Sequence, residues 1–475
     1  MNNISKKDVK TGLIWSAIDS LGTQVVSLII NLILARLLGP SIFGLVALLS
    51  VFTAIGNVFV NSGFSQALIR KTERTEADFS TTFYFSLTVS IVSYLFFVSV
   101  SPAISSFYNE PELNSLTKYI LLTIVINSLG TVPRVKLTVE LNFKLQTLCS
   151  LISLFLSGLT AFILAYLDYG VWALISFQIT LASINVMLLN ILVPSLPKTK
   201  FSRKSFRELF GFGSKLLVSG LIDTVYRNVY SIIIGKQFSS VQLGLFNQAE
   251  KISSLPAITL ASIIQKVSYP TLSRIKDNKV RLESSYLLVI RLTALVILPI
   301  ILSISIIAEP LVRVLLGKDW ILAANYIEII TVAFVLYPLH AINLSLVQVK
   351  GRSDLFLKIE IIKKISLSII LCVTVPMGIE AMCYGMVLNS IMAFFINTSY
   401  VGRLSSLGTY KQLRTIVPYI FVSFVVAIYV MNVGDLFESD FLLIVSKLVV
   451  YFSLYISTIW IIERKFLSDV ISHIK

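Results

Sequence analysis

The sequence predicts an all-α polytopic membrane protein of about 14 transmembrane helices, arranged as two six-helix lobes in parallel repeat plus a C-terminal helix pair. Three observations lead to this class. The 475 residues are 56% hydrophobic and 14% charged, with a mean hydropathy of +0.85, which leaves too little polar surface for a water-soluble globule. The apolar runs have the length of spanning helices, about 20 residues at 1.5 Å rise across roughly 30 Å of hydrocarbon, and lack the roughly 10-residue alternation of a barrel. Finally, segments about 200 residues apart resemble each other.

The runs begin with 11 to 35, 42 to 65, 79 to 101, 116 to 133, 145 to 167 and 171 to 193. After the link come 212 to 235, 246 to 269, 285 to 308, 322 to 348, 355 to 375 and 379 to 401, then a pair at 415 to 432 and 441 to 462. The first run follows Lys6, Lys7 and Lys10 as a signal peptide would. It is too long for such a segment and contains Asp19, so a retained helix is expected. The expected domains are an N-terminal lobe at 1–193, a basic amphipathic linker at 194–211, a second lobe at 212–402, and a helix pair with tail at 403–475. Phe201, Phe206 and Phe210 in the linker suit a short helix at the inner-leaflet headgroups, or a plain tether.

The net charge is +15, and its distribution decides its meaning. With both termini cytoplasmic, the loops on that side and the run ends flanking them hold 28 of the 40 Lys and Arg, while the opposite loops with their flanks, Lys118 included, hold five. Those opposite loops carry nine acids, among them Glu110, Glu112, Asp435, Glu438 and Asp440. This is the positive-inside pattern, so the charge reports orientation and no nucleic-acid partner is expected. Cys149, Cys372 and Cys383 all fall within runs and are expected as small apolar core residues. No loop is long enough for a soluble catalytic or nucleotide-binding domain.

The repeat is carried by Arg36-Leu-Leu-Gly-Pro-Ser-Ile-Phe-Gly-Leu45 and Lys236-Gln-Phe-Ser-Ser-Val-Gln-Leu-Gly-Leu245, at an offset of 200. In both, a helix ends on a cation and a turn closes on Gly-Leu. Ile18-Asp19 also matches Ile222-Asp223 when one helical turn is inserted. With Gly12-Leu-Ile-Trp-Ser16 and Ile234 to Ala249, these segments resemble the polysaccharide branch of the multidrug/oligosaccharidyl-lipid/polysaccharide exporter superfamily. The resemblance is to Wzx-type flippases for O-antigen, capsule or exopolysaccharide repeat units, and it covers essentially the whole chain. It implies a multi-pass protein of the bacterial inner membrane with two six-helix lobes around a central cavity. Such a protein moves undecaprenyl-pyrophosphate-linked oligosaccharide from the cytoplasmic to the periplasmic leaflet by alternating access, alongside polymerase and glycosyltransferase machinery. The alternative is a drug or cation antiporter of the same superfamily.

Moving such a headgroup requires cations for phosphate and polar or aromatic groups for sugars. Each ionisable side chain deep in hydrocarbon costs roughly 2.5 to 3.5 kcal/mol, so each calls for a reason. In the seventh run, Asp223 and Arg227 lie four apart on one face near mid-membrane, flanked by Tyr226 and Tyr230. This is either an internal ion pair or a site where Arg227 meets pyrophosphate and Asp223 exchanges a proton or cation. Asp19, Gln24, Ser27 and Asn31 form a related polar stripe on the first run, serving substrate or interhelical hydrogen bonds. Arg291 is a candidate entry cation, since its planar fork suits phosphate. Asp19 and Asp223 are the candidate ion-coupling pair for H+ or Na+, with about 2.3 kcal/mol per charge available from each 100 mV. Glu250 and Lys251 are expected near a helix end, Glu360 to pair with Lys364, and Lys266, Lys363, Lys364 and Lys447 to snorkel. Pro256, Pro299 and Pro338 are expected to kink spans.

No enzyme is expected. The chain has no Gly-rich phosphate loop ending in Lys-Ser/Thr and no paired-histidine metal spacing, only His340 and His473. A membrane polymerase or ligase acting on lipid-linked sugars would be expected to display a large periplasmic loop, and the longest here, Pro102 to Lys118, is short. Neither a resident cofactor nor a metal is expected.

Overall fold

In hydrocarbon a backbone amide finds partners only within its own helix or a closed sheet. Helix is accordingly the only regular structure among the residues that the computed structural model describes, namely 6–61, 63–433, 437–464, 466 and 468. Asp435, His473 and both chain ends, on which part of the orientation reading rests, lie outside them. The chain divides into two compact units, the first ending at Gly244 and the second starting at Leu245.

The first unit holds α1 (Lys6–Asn61), α2 (Phe64–Arg70), α3 (Glu76–Tyr108), α4 (Glu112–Ile120), α5 (Leu122–Leu129), α6 (Thr131–Val139), α7 (Phe143–Tyr166), α8 (Val171–Leu192), α9 (Arg203–Arg227) and α10 (Val229–Gln237). The long α11 (Ser240–Arg274) leads into the second unit. There follow α12 (Lys279–Ile306), α13 (Ala308–Leu315), α14 (Leu322–Val335), α15 (Tyr337–Val349), α16 (Ser353–Thr374), α17 (Ile379–Leu404), α18 (Thr409–Asn432) and α19 (Asp440–Ile462).

Helix, whole or broken, occupies each of the fourteen expected stretches. By length and composition nine helices among the described residues can cross a membrane, ten with the bent pair α4/α5 and α6. The shortfall has two causes. Leu21–Val60 runs through two expected spans, and α9, α11 and α16 are too polar to qualify. Lipid acts as the solvent of the outer faces: only 22% of the most apolar window of α3 is buried, and Val92, Leu95 and Phe96 on it are 58–60% exposed.

The break in α1 is at Gly39, whose φ of 74° is open to glycine, and Pro40 follows as the first residue of the continuing helix. The second copy of this motif lies directly against the first. A Cβ on Gly44 would fall 1.7 Å from the Ser240 carbonyl oxygen, and one on Gly244 would fall 2.0 Å from that of Pro40. The contact is reciprocal at the offset of 200, position 40 against 244 and 44 against 240, as a local two-fold requires. Lys236 Nζ, at the end of α10, donates to the Phe107 carbonyl near the C-terminus of α3 and lies 4.6 Å from the Phe107 ring.

The basic link is not a free-standing helix. Residues 194–202 are non-helical, and α9 starts at Arg203, where the Ser202 hydroxyl caps the Ser205 amide. It then continues through Gly211 into the expected span. Its Phe206 and Leu209 pack with Phe64, Leu68 and Phe85, with Phe64 and Phe85 stacked at 3.8 Å. A Cβ on Gly63 would lie 2.5 Å from the Gly213 oxygen, so these two backbones also touch. Beside them Thr75 and Asp78 form a capping box at the start of α3. Lys71 Nζ donates to both the fully buried Asp78 and Glu208 of α9, each at 2.9 Å. Glu208, then Asp78, hold the Lys71 ammonium above its ordinary pKa.

Three further expectations change. Pro256 and Pro299 sit inside α11 and α12, whereas Pro338 is the second residue of α15, in the first turn just past the break at Leu336. Cys149 and Cys383 are buried, but Cys372 is exposed because α16 turns that face outward with Ile369 and Val373. Finally, α11 begins at Ser240, six residues ahead of expectation, because the Ser239 hydroxyl and carbonyl accept from the Gln242 and Leu243 amides.

Two stability predictions follow from these contacts. Gly44→Ala should cost about 1–3 kcal/mol, read as a lower unfolding midpoint in detergent, since the methyl group meets backbone and not a flexible side chain. An unchanged midpoint would contradict the crossing. Asp78→Ala removes the carboxylate half of the capping box and the Lys71 bridge and should cost about 1–2 kcal/mol in the same measurement, whereas Glu208→Ala, at an exposed pair, should cost well under 1 kcal/mol.

Candidate functional site

Arg227 is the last residue of α9, and the helix breaks at Asn228, whose side-chain amide donates back to the Thr224 carbonyl at 2.8 Å. Arg227 Nη2 meets Asp223 Oδ2 at 2.9 Å one turn earlier. The arginine side chain is 79% exposed and the aspartate 44%, so the pair is tethered without being enclosed. Asp223 aims the guanidinium, and the remaining edge of the fork is accessible to a second anion.

The break separates the two tyrosines. The sequence predicts one continuous helix over 212–235 that carries both beside Arg227. Asn228 interrupts it, leaving Tyr226 partly exposed on α9 and Tyr230 on α10 buried to 8%. Asn228 gave no breaker signal, since neither Gly nor Pro marks the position.

On α1, Asp19, Gln24, Ser27 and Asn31 are all partly buried, an intermediate setting between core and lipid face. Helix α1 packs against α7 and α9. The approach to α7 is close, for a Cβ on Gly158 would fall 2.6 Å from Ile30. Asp19 has one buried carboxylate oxygen, Oδ1, without a hydrogen-bond partner. Such an atom is costly in a low-dielectric setting and is relieved by a proton or a cation.

In the second unit, Arg291 on α12 is held from three directions. It forms an ion pair with Glu463, its Nε donates to the Tyr419 hydroxyl at 2.8 Å, and its guanidinium lies 3.6 Å from the Phe466 ring. The arrangement ties α12 to α18 and to the segment after α19. Glu463 lies 172 residues away in sequence, which local spacing does not reveal. Glu250 and Lys251, expected near a helix end, stand ten and eleven residues into α11, about 15 Å along it at 1.5 Å per residue. Glu360 pairs with Lys363 at 2.5 Å, one residue before the expected Lys364.

The sequence singles out His340 as a titratable group within a span, but neither its partners nor a second polar cluster in this unit. His340 Nε2 lies 3.2 Å from the Ser390 hydroxyl, and the Asn397 amide lies 3.4 Å from Nδ1. Since Ser390 donates onward to the Ala333 carbonyl, the neutral tautomer with hydrogen on Nε2 fits every contact. Asn343, Gln412 and Tyr286 form a second buried network at 2.9–3.1 Å. At the α15–α16 turn, Arg352 grips Asp354 by two bonds of 2.7–2.8 Å, holding that exposed carboxyl down to about 2. No group of three or more metal-ligating side chains occurs among the described residues. In the first unit Arg134, read from sequence as a loop residue, lies in helix α6 with Nη2 2.8 Å from Asn185 Oδ1 of α8.

The chain is 22% identical over 351 residues to the teichuronic acid biosynthesis protein TuaB of Bacillus subtilis (strain 168), covering 74% of this chain and 73% of that one. It is 21% identical to the lipopolysaccharide biosynthesis protein WzxC of Escherichia coli (strain K12), over 74% of this chain and 72% of the other. Among solved structures, the lipid II flippase MurJ in an inward closed conformation superposes with a TM-score of 0.75 at 14% identity, over 96% of this chain and 100% of that one. This likeness shows that the two chains share one all-helical fold. The profile of the family described as polysaccharide biosynthesis protein matches residues 33–325, so the resemblance first seen in the Arg36 and Lys236 motifs holds, and the chain belongs to the polysaccharide biosynthesis protein family.

Proposed function

We propose that this protein carries polyprenyl-diphosphate-linked oligosaccharide repeat units across the bacterial inner membrane by alternating access. The carrying observation is Arg227, a guanidinium in an expected span that is aimed by Asp223 yet largely exposed. A fixed fork of this kind matches a diphosphate better than a compact ammonium does. Membership of a polysaccharide biosynthesis family and a fold shared with a lipid II flippase support a lipid-linked saccharide as cargo. The isoprenoid tail stays in hydrocarbon while the headgroup follows the polar residues, with Tyr226, Gln24 and Asn31 offering contacts to sugar hydroxyls. Tyr230 supports this surface from within the unit, and Arg291 holds helices together through Glu463. The protein itself forms and breaks no covalent bond in this reading.

Ion-gradient coupling is assigned to Asp19 and Asp223. The unpartnered oxygen of Asp19 supplies the reason, because binding H+ or Na+ there removes a buried polar deficit and release restores it. Both termini lie in the cytoplasm and transfer runs toward the periplasmic leaflet, in keeping with the positive-inside charge pattern, between two six-helix lobes.

Arg227→Gln should lower export of surface polysaccharide by about tenfold or more at unchanged membrane abundance, the effect of losing a charge-assisted hydrogen bond. Arg227→Lys should fall between, and full export by Arg227→Gln would reject the role. In inverted membrane vesicles, Asp19→Asn should abolish the dependence of transport on an imposed proton or sodium gradient while leaving binding of the lipid-linked saccharide intact. Persisting gradient dependence would remove Asp19 from coupling.

A further inference from the structure

The break between α5 and α6 brings together a cation and a buried hydroxyl with no anion to answer them. Helix α5 ends at Leu129, Gly130 joins the two, and α6 departs at 43° to the preceding pair. The acceptor side of the break is satisfied, since Asn190 of α8 donates to the Leu129 carbonyl at 3.2 Å. The donor side is different. Thr131, the first residue of α6, is 2% exposed, and its hydroxyl has no hydrogen-bond partner. Arg134 follows three residues on, on the same helical face. Its guanidinium lies over the break, 3.7 Å from where a Cβ on Gly130 would stand, and its side-chain hydrogen bond goes to the neutral Asn185. Among the described residues no carboxylate lies within 4 Å of it.

A partly buried guanidinium that meets only an amide is an uncompensated charge. The Thr131 hydroxyl, one turn earlier on the same face, is a second group with hydrogen-bonding capacity to spare. The missing partner is therefore an anion with several acceptor oxygens, able to take two parallel bonds from the fork and one from a hydroxyl, which is the pattern of a phosphate. The neighbouring Lys136, 5.2 Å from the Phe79 ring, places α6 next to the first turn of α3 and hence beside the Lys71–Asp78–Glu208 bridge. That end of the unit is where the positive-inside pattern puts the cytoplasm, at the level of anionic headgroups.

We propose that Arg134, Thr131 and Asn185 form a binding site for a phosphate-bearing lipid headgroup, separate from Arg227. Two lipids present the same chemistry: an anionic phospholipid of the inner leaflet, or the diphosphate of the polyprenyl carrier. The site stands on its own observations and does not need the Arg227 reading to hold.

Purified full-length protein in detergent would be titrated with phosphatidylglycerol, undecaprenyl diphosphate and, as a phosphate-free control, diacylglycerol, with bound lipid read by native mass spectrometry. Arg134→Gln should weaken binding of at least one phosphate lipid by about tenfold, leaving diacylglycerol unchanged. Loss confined to phosphatidylglycerol identifies a bilayer lipid, and loss confined to undecaprenyl diphosphate identifies the carrier. Arg134→Lys and Thr131→Val, milder changes, should each weaken the same lipid several-fold at an unchanged unfolding midpoint, so the outcome does not hinge on how well Arg134→Gln folds. Arg227→Gln should leave phosphatidylglycerol binding intact. Wild-type affinity for both phosphate lipids in Arg134→Gln, or in both milder variants if Arg134→Gln does not fold, overturns the site.

Discussion

Hydrocarbon offers no hydrogen bonds, and most of what this chain does with its backbone answers that fact. Every described element is a helix, and where helices break the freed groups are met locally. Asn190 covers the carbonyl at the end of α5, and Asn228 turns its own amide back onto Thr224. Glycine serves a second purpose, allowing backbones to touch without side chains between them, as at Gly63 against Gly213 and Gly44 against Ser240. In lipid, where apolar surface gains nothing by leaving its surroundings, such close packing is a main source of helix association. The reciprocal contact at positions 40, 44, 240 and 244 therefore joins two copies of one motif through their backbones.

The same poverty of partners makes each charge informative. Lys71 and Arg291 are held by acids from distant parts of the chain and by that measure tie helices together. Asp223 and Arg227 compensate each other but remain open, a combination that costs exposure to gain availability. Arg134 has no acid within ion-pair distance among the described residues, which leaves its charge to an anion from outside the chain. Ranking the cations by what already occupies them sorts structural from functional ones more sharply than depth in the sequence does.

Much of the fold was legible in the sequence because hydropathy is local. A run of about 20 apolar residues must be helical in lipid whatever surrounds it, and Gly39-Pro40 announces its own break. Distant partners were not legible in this way. Glu463 reaches Arg291 across 172 residues, so Arg291 looked like a free entry cation. Asn228 breaks α9 without a glycine or proline, so Tyr226 and Tyr230 looked equivalent when one of them is buried. Arg134 looked like a loop residue because a polar nine-residue helix does not stand out from a cytoplasmic turn. Cys372 and Cys383 show the same limit, since periodicity in an all-apolar helix does not say which face meets lipid and which meets protein.

Transbilayer movement in a defined system tests flipping by this protein without the rest of the cell. Purified protein would be reconstituted into sealed vesicles carrying undecaprenyl-diphosphate-linked oligosaccharide, and the fraction open to a membrane-impermeant glycosidase would be followed over time. Flipping by this protein predicts that nearly all the saccharide becomes accessible, while vesicles without protein retain a protected inner-leaflet pool. A protected pool of the same size with and without protein, in vesicles shown to contain folded protein, would contradict the account.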